Sequence, residues 1–291
     1  MRAIVYSLFG YERERAENCF DFNSYLRGLM LCLRFNRLIY PDWQTVLETD
    51  RATYEGFRDI FKPLEDSGAL IVEVNDNGAK LCEAMLWRLK PIYWADVTHV
   101  LCRDLDSLAT YRERQAVQYW EDIKTKVVHA ITDSVSHDLP LLGGMIGLQA
   151  VYFKQRMGTT SYEELIRKNT FDLSNKGSDQ SFLNQVVYPM FASKGTESIT
   201  QHYFNGHGNT FLSDFHSCDC PPPSGHADNC PNNYKIKLSD DLKESNSVCG
   251  HIGASGWYET ATFKFLRPHK EKFIDFMEIE KQYPKIFYWS E

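Results

Sequence analysis

Along the first half of the chain, short apolar and β-branched runs alternate with stretches whose apolar positions recur every three or four residues. The runs 3–9 (AIVYSLF), 42–48 (DWQTVLE), 69–74 (ALIVEV), 98–104 (THVLCRD) and 126–132 (KVVHAIT) read as strands. Between them, 22–38, with Leu26, Leu29, Met30 and Leu33 at helical spacing, and then 52–66, 81–93 and 111–125 read as helices. This alternation predicts an α/β protein with a mostly parallel central sheet covered by helices. In such sheets ligands bind beyond the carboxyl ends of the strands. The second half is less regular. The run 141–147 (LLGGMIG) combines glycines with apolar residues, 161–168 and 179–191 look helical, 217–233 is a loop of Pro, Cys and His, and 269–283 reads as a final helix. With no internal repeat and no polar linker, one domain over 1–291 is expected, with an irregular C-terminal part.

Composition changes this picture little. A chain of 291 residues that is 43% hydrophobic and 24% charged is large enough for a substantial core. Its formal net charge of −7 comes with no basic tract, which argues against nucleic acid as the main partner. The opening apolar run is too short for a secretory segment, no later run approaches a membrane span, and no Asn-x-Ser/Thr acceptor occurs, so a cytoplasmic setting is expected. Eight cysteines fall into two groups. Cys19, Cys32, Cys82 and Cys102 sit in apolar context and suit packing, whereas Cys218, Cys220, Cys230 and Cys249 lie near His216, His226 and His251.

The chemistry concentrates where the fourth strand ends. HVLCRDLDS runs apolar residues into Asp104 and Asp106, two residues apart, so both carboxylates can face one way as the strand frays. Two hard oxygen donors suit magnesium or manganese, which keep other positions for water and substrate phosphates. A plain turn or helix cap is the competing reading of Asp-x-Asp. Arg88 lies on the preceding helix, and TDSVSHD brings Asp133 and His137 behind the next strand, either to the same mouth or as a polar turn. Farther on come Gly143-Gly144, then Asp179-Gln180-Ser181-Phe182-Leu183-Asn184, and finally His251-Ile252-Gly253.

In this order the motifs resemble those of nucleotide-sugar glycosyltransferases of the GT-A fold. The likeness is to the retaining family whose sequence runs Arg-Leu, Asp-x-Asp, a small-residue motif, Asp-Gln-x-x-Leu-Asn and His-x-Gly. Here these are Arg88-Leu89, Asp104-Leu105-Asp106, Gly143-Gly144, Asp179 to Asn184 and His251 to Gly253. The wording RDxDS and PxLGGMxG is also similar to a bacterial and viral branch of such enzymes. The resemblance runs from Met1 to about Gly256 and implies a GT-A, Rossmann-like fold with a nucleotide-sugar-binding half, 1–135, and an acceptor-side half, 136–291, that carries the Cys-rich loop 216–230. It further implies that Asp104, Asp106 and His251 bind the divalent cation and that Arg88 contacts the donor sugar or its phosphates. Tyr6, Ser7, Leu8, Phe9 and Gly10 would lie along the nucleotide, and Asp179 and Gln180 beside the anomeric carbon and the acceptor. Gly143 and Gly144 would let substrate approach the backbone, unless they form an ordinary loop. The family follows His-x-Gly with Lys-Pro-Trp, which contacts the diphosphate, whereas this chain has ASGWYE; Lys264 or Arg267 could substitute for that contact.

The expectation is therefore a manganese- or magnesium-dependent enzyme that moves a sugar, with retention, from a nucleoside diphosphate donor to a hydroxyl of a glycan, lipid-linked saccharide or protein. Candidate catalytic residues are Asp179, Gln180, Asp133 and His137. Asp179 would also serve as a helix N-cap. Structural zinc at Cys218, Cys220 and Cys230 competes with free thiols in a loop, because the spacing matches no usual pairing. Trp87, Trp94, Trp120, Trp257 and Trp289 suit the core more than sugar stacking. The rivals are a haloacid-dehalogenase-like phosphohydrolase, which would carry Thr where Leu108 stands, a sugar nucleotidyltransferase, which would need a Gly-rich basic loop after the first strand, and a binding module without turnover.

Overall fold

The first strand, β1 (Arg2–Leu8), sends Ile4, Tyr6 and Leu8 to one face and Ala3 and Val5 to the other, and all five are buried. A strand covered on both faces belongs in the middle of a sheet. In the computed structural model, which describes residues 1–11, 22–75, 81–109, 111–132, 139–169, 171–175, 177–192, 199–203 and 271–284, β1 is central. It pairs in parallel with β2 (Gln44–Asp50) on one side and β4 (His99–Arg103) on the other, and β3 (Ile71–Asn75) extends β2 in parallel. Beyond β4 come β6 (Met145–Gln149), antiparallel to both its neighbours, then β5 (Val128–Thr132) and β7 (Ile199–Tyr203). The seven strands lie in the order β3-β2-β1-β4-β6-β5-β7, a mostly parallel sheet flanked by helices as the alternation predicts.

One face is covered by α1 (Phe22–Ile39), α2 (Arg51–Gly56), α3 (Arg58–Asp66), α5 (Tyr111–Asp122) and α10 (Ile274–Gln282), around Leu26, Phe61, Trp120 and Phe276. The other is covered by α4 (Leu81–Leu86), a 3₁₀ segment (Trp87–Tyr93), α6 (Ala150–Met157), α7 (Tyr162–Asn169), α8 (Ser178–Phe182) and α9 (Tyr188–Ala192), around Trp87, Phe153 and Phe182. Cys32, Cys82 and Cys102 are buried free thiols within this packing. Among the described residues no helix is long and apolar enough to cross a membrane.

Several elements differ from the pattern-based expectation, each for a local reason. The helix expected over 52–66 breaks at Phe57, whose backbone leaves the helical region so that its ring can stack on Phe22 at 5.2 Å and meet Tyr11 at 4.8 Å. The helix expected over 81–93 stays α only to Leu86 and then tightens. Pro91 has no N–H to donate backward, and the tighter winding buries Trp87, Arg88, Leu89 and Ile92. The glycine-rich run 141–147 leads into β6, all five residues of which are buried, so the strand shows no alternation for a period-two pattern to detect. The helix α6 and strand β7 are not among the elements expected from the sequence.

Candidate active site

The site begins with a locked strand end. Arg103, the last residue of β4, is buried, and its Nε donates to Glu113 on α5 at 2.8 Å. Its Nη1 donates to the carbonyls of Cys102 and Ile146, at 2.7 and 2.9 Å, and Tyr40 adds its hydroxyl to the same Glu113 oxygen at 2.9 Å. The next residue, Asp104, therefore leaves a backbone tied to β6 and α5. Leu105 turns inward, and Gly28 of α1 presses on its carbonyl so closely that a Cβ there would overlap it. The thiol of Cys32, one turn farther along α1, donates to the carbonyls of Leu105 and Ser107. With Leu105 inward, Asp104 and Asp106 are left partly exposed on either side of it. Both act on Tyr25, whose phenol pKa is raised first by burial and then by the charges of Asp106 and Asp104.

Four of the sequence motifs meet around Asp104. Arg88, delivered by the 3₁₀ segment, donates through Nη1 to Asp104 Oδ1 at 2.5 Å and to the Arg103 carbonyl at 3.2 Å, while its Nε donates to Met85 O at 3.0 Å. Burial pulls the Arg88 pKa down, but the Asp104 charge and hydrogen bond, with the Cys102 and Asp179 charges, together outweigh it and the net shift is upward. Gly144 lies directly against the Asp104 carboxylate, where a Cβ would overlap it. A Cβ on Gly143 would sit 2.8 Å from Gln180 Nε2 and 3.2 Å from Arg88 Nη2. These two glycines are thus bare because side chains from three other segments occupy the space. The Gly143 N–H donates to Gln180 Oε1 at 3.2 Å.

Asp179 is 5% exposed and shares a narrow crevice with Arg88, Gly143 and Leu183. Burial raises its carboxyl pKa, the Arg88 cation opposes this, and the Asp104 charge adds to it. The N-cap position of α8 belongs to Gly177, at φ 84°, rather than to Asp179, which lies within the first turn. At the end of β1 the expected nucleotide-side residues divide. Tyr6 is fully buried with its hydroxyl on Asn36, Ser7 faces the opposite side of the sheet, and Leu8 is buried. Phe9 packs edge-on against Trp87 at 5.9 Å, and Gly10 N–H donates to Asp50 Oδ2 at 2.6 Å. Sequence reasoning missed Asp50. It also accepts from Thr53 N at 2.8 Å and caps α2, and an Asp between a strand and a Thr three residues on was the available signal.

Two carboxylates with open sides fit a hard cation, and Asp104 keeps 35% of its side chain exposed although Arg88 takes one oxygen. Among the described residues no group of three His, Cys, Asp or Glu is positioned to hold a metal. His251, Asp133, His137 and the cysteines Cys218, Cys220 and Cys230 lie outside the described residues. The described chain leaves β7 at the same end of the sheet as Asp104 and resumes at Glu271.

No family model matches the chain, and no curated protein matches it. Among solved structures it is similar to the glycosyltransferase GlyE of Streptococcus pneumoniae TIGR4, at 17% identity over 64% of this chain and 43% of that one, with a TM-score of 0.41. It is also similar to the mannosyltransferase PcManGT from Pyrobaculum calidifontis in complex with GDP-Man and Mn2+, at 12% identity over 68% and 55%, with a TM-score of 0.43. A third is the 4-diphosphocytidyl-2C-methyl-D-erythritol synthase of Anaerococcus prevotii DSM 20548, at 6% identity over 74% and 91%, with a TM-score of 0.40. The chain spans less than two thirds of the length of the first two. Likeness at this level does not reach chemistry, which the side chains around Asp104 have to supply.

Proposed function

We propose that the chain is a metal-dependent glycosyltransferase that moves a sugar from a nucleoside diphosphate donor to a hydroxyl of a glycan, lipid-linked saccharide or protein. One observation carries the reading. Arg88, Asp104, the pair Gly143–Gly144, and Asp179–Gln180, far apart in sequence, converge at one carboxyl end of the sheet in contact with one another. Asp104 and Asp106 would hold the cation, magnesium or manganese, with His251 as the further protein ligand. A cation there would take up negative charge growing on the departing nucleoside diphosphate. Arg88, which donates through Nε and Nη1 to Asp104 and two carbonyls, orients that carboxylate and adds fixed positive charge behind it. Phe9 and Gly10 offer the nucleotide side, and Asp179 and Gln180 border the sugar. Retention of anomeric configuration belongs to this proposal on the motif order alone. The division into a donor half, 1–135, and an acceptor half, 136–291, belongs to it as well. So does a cytoplasmic setting, which suits three buried, unbridged thiols.

The test is a calorimetric titration of the full chain with UDP, GDP, CDP and their sugars, with and without manganese, beside Asp106→Ala. Manganese-dependent binding that the substitution abolishes is the expected result and identifies the nucleotide. Absence of binding under every metal condition sinks the proposal. Release of phosphate from p-nitrophenyl phosphate would then favour the phosphohydrolase.

A further inference from the structure

Asn184, the last residue of the Asp-Gln-x-x-Leu-Asn run, lies well past the acidic pair in sequence, and its hydrogen bonds go to Leu141 and Gln180. Its side chain uses both ends. Asn184 Oδ1 accepts from Leu141 N–H at 2.9 Å, and Nδ2 donates to Leu141 O at 2.8 Å and to Gln180 O at 2.8 Å. A side-chain amide that satisfies both main-chain groups of one residue holds that residue as a neighbouring strand would. The helix widens here to i→i+5 bonding over Leu183–Val187, an uncommon turn that in helices concentrates at functional sites. Asn184 lies within that turn, and its side-chain amide takes up the Gln180 carbonyl.

What Asn184 fastens is the approach to β6. Leu141 is two residues before Gly143, whose N–H is held by Gln180 from the same helix, and three before Gly144, which lies against the Asp104 carboxylate. We propose that Asn184 is a positioning residue for Asp104: it pins the turn 141–144 to α8 so that the bare backbone of Gly144 holds the carboxylate against Arg88. Hydrogen bonds from Asn184 and Gln180 set the position of the turn, and packing of Gly144 transmits it to the acid. The assignment deepens the donor-site reading, on which its relevance to cation binding rests, but the mechanical link itself does not depend on that reading.

The experiment is nitrogen-15 NMR on the full chain, following Leu141 amide exchange and the Arg88 Nε–H resonance in wild type, Asn184→Ala, Asn184→Asp and Asp104→Asn. Loss of the clamp in Asn184→Ala is expected to speed Leu141 exchange roughly tenfold or more. The Arg88 resonance is expected to move toward its position in Asp104→Asn. Asn184→Asp keeps the acceptor and loses both donors, so it should also move Arg88 while protecting Leu141 better than alanine does, and it serves if the alanine variant fails to fold. Faster Leu141 exchange with an unmoved Arg88 resonance in both variants would reduce Asn184 to a local cap and overturn the proposal. Manganese and nucleoside diphosphate titrations of the same samples should show affinity roughly tenfold weaker in both variants. If wild type binds neither, the donor-site reading fails, and the Arg88 resonance still decides the role of Asn184.

Discussion

Arg103 and Arg88 are both about 3% exposed and each meets one carboxylate, yet the two carboxylates live in different places. Glu113 is 7% exposed, shared with Tyr40, and closed off between β4 and α5, whereas Asp104 is 35% exposed and open toward the carboxyl end of the sheet. A fully enclosed pair costs desolvation on both sides and holds only while both partners remain. A pair with one open side keeps an acid oriented while leaving it free to meet a ligand. Adjacent residues, Arg103 and Asp104, therefore do opposite work: the first fixes the strand end and the second presents charge from it.

The sharpest way to break this comparison is Gly144→Ala. The added methyl would overlap the Asp104 carboxylate, and a displacement on the order of 1 Å there is expected to weaken manganese-dependent nucleotide binding roughly a hundredfold while leaving the Arg103–Glu113 pair alone. Calorimetry on the folded variant with unaltered affinity would show that the position of Asp104 does not matter. At the enclosed pair, Glu113→Ala strands a buried guanidinium and should cost about 3–5 kcal/mol in urea unfolding. Asp104→Asn keeps an acceptor for Arg88 and has an open side, so it should cost less, about 1–3 kcal/mol, and lose cation-dependent binding. Equal destabilisation by the two would erase the distinction between enclosed and open pairs.

A third acid sharpens the same contrast because, among the described residues, it has no direct contact with a cation. Glu48, on β2, is fully buried. Its Oε2 accepts from Asn75 Nδ2 at 2.9 Å, and its Oε1 has no hydrogen-bond partner among the described residues. Burial raises its pKa to about 8 against the opposing effects of the Asn75 hydrogen bond and the Lys90 charge, with Glu73 adding to the rise. The folded state thus keeps a proton that the unfolded chain releases near pH 4.5. This contribution to stability is complete below the unfolded value and is lost as pH rises toward and through about 8. Glu48→Gln should flatten that decline and exceed wild type in stability by a few kcal/mol at most above pH 8. Urea unfolding across the acid-to-alkaline range checks it, and parallel wild-type and variant curves would mean that Glu48 is ionised in the fold.

Much of this arrangement is legible in the chain because it depends on near neighbours. Short apolar and β-branched runs place β1 to β5, the spacing of Leu26, Leu29, Met30 and Leu33 places α1, and the abrupt change from Cys102 to Asp104 marks where a strand stops and polar chemistry begins. The order of the Arg88, Asp104, Gly143 and Asp179 motifs is likewise written in sequence. The contacts among them are not. Nothing local says that β6 runs antiparallel between β4 and β5, and it is that insertion which carries Gly144 onto Asp104. Nor does spacing reveal that Arg88 pairs with Asp104, that Phe57 breaks a helix to join an aromatic stack, or that Asn184 grips Leu141 across 43 residues. Periodicity and residue chemistry act over a few positions and so determined the elements and the kinds of side chain at their ends. Strand order and close packing act over the whole chain, and only they decided which of those side chains touch.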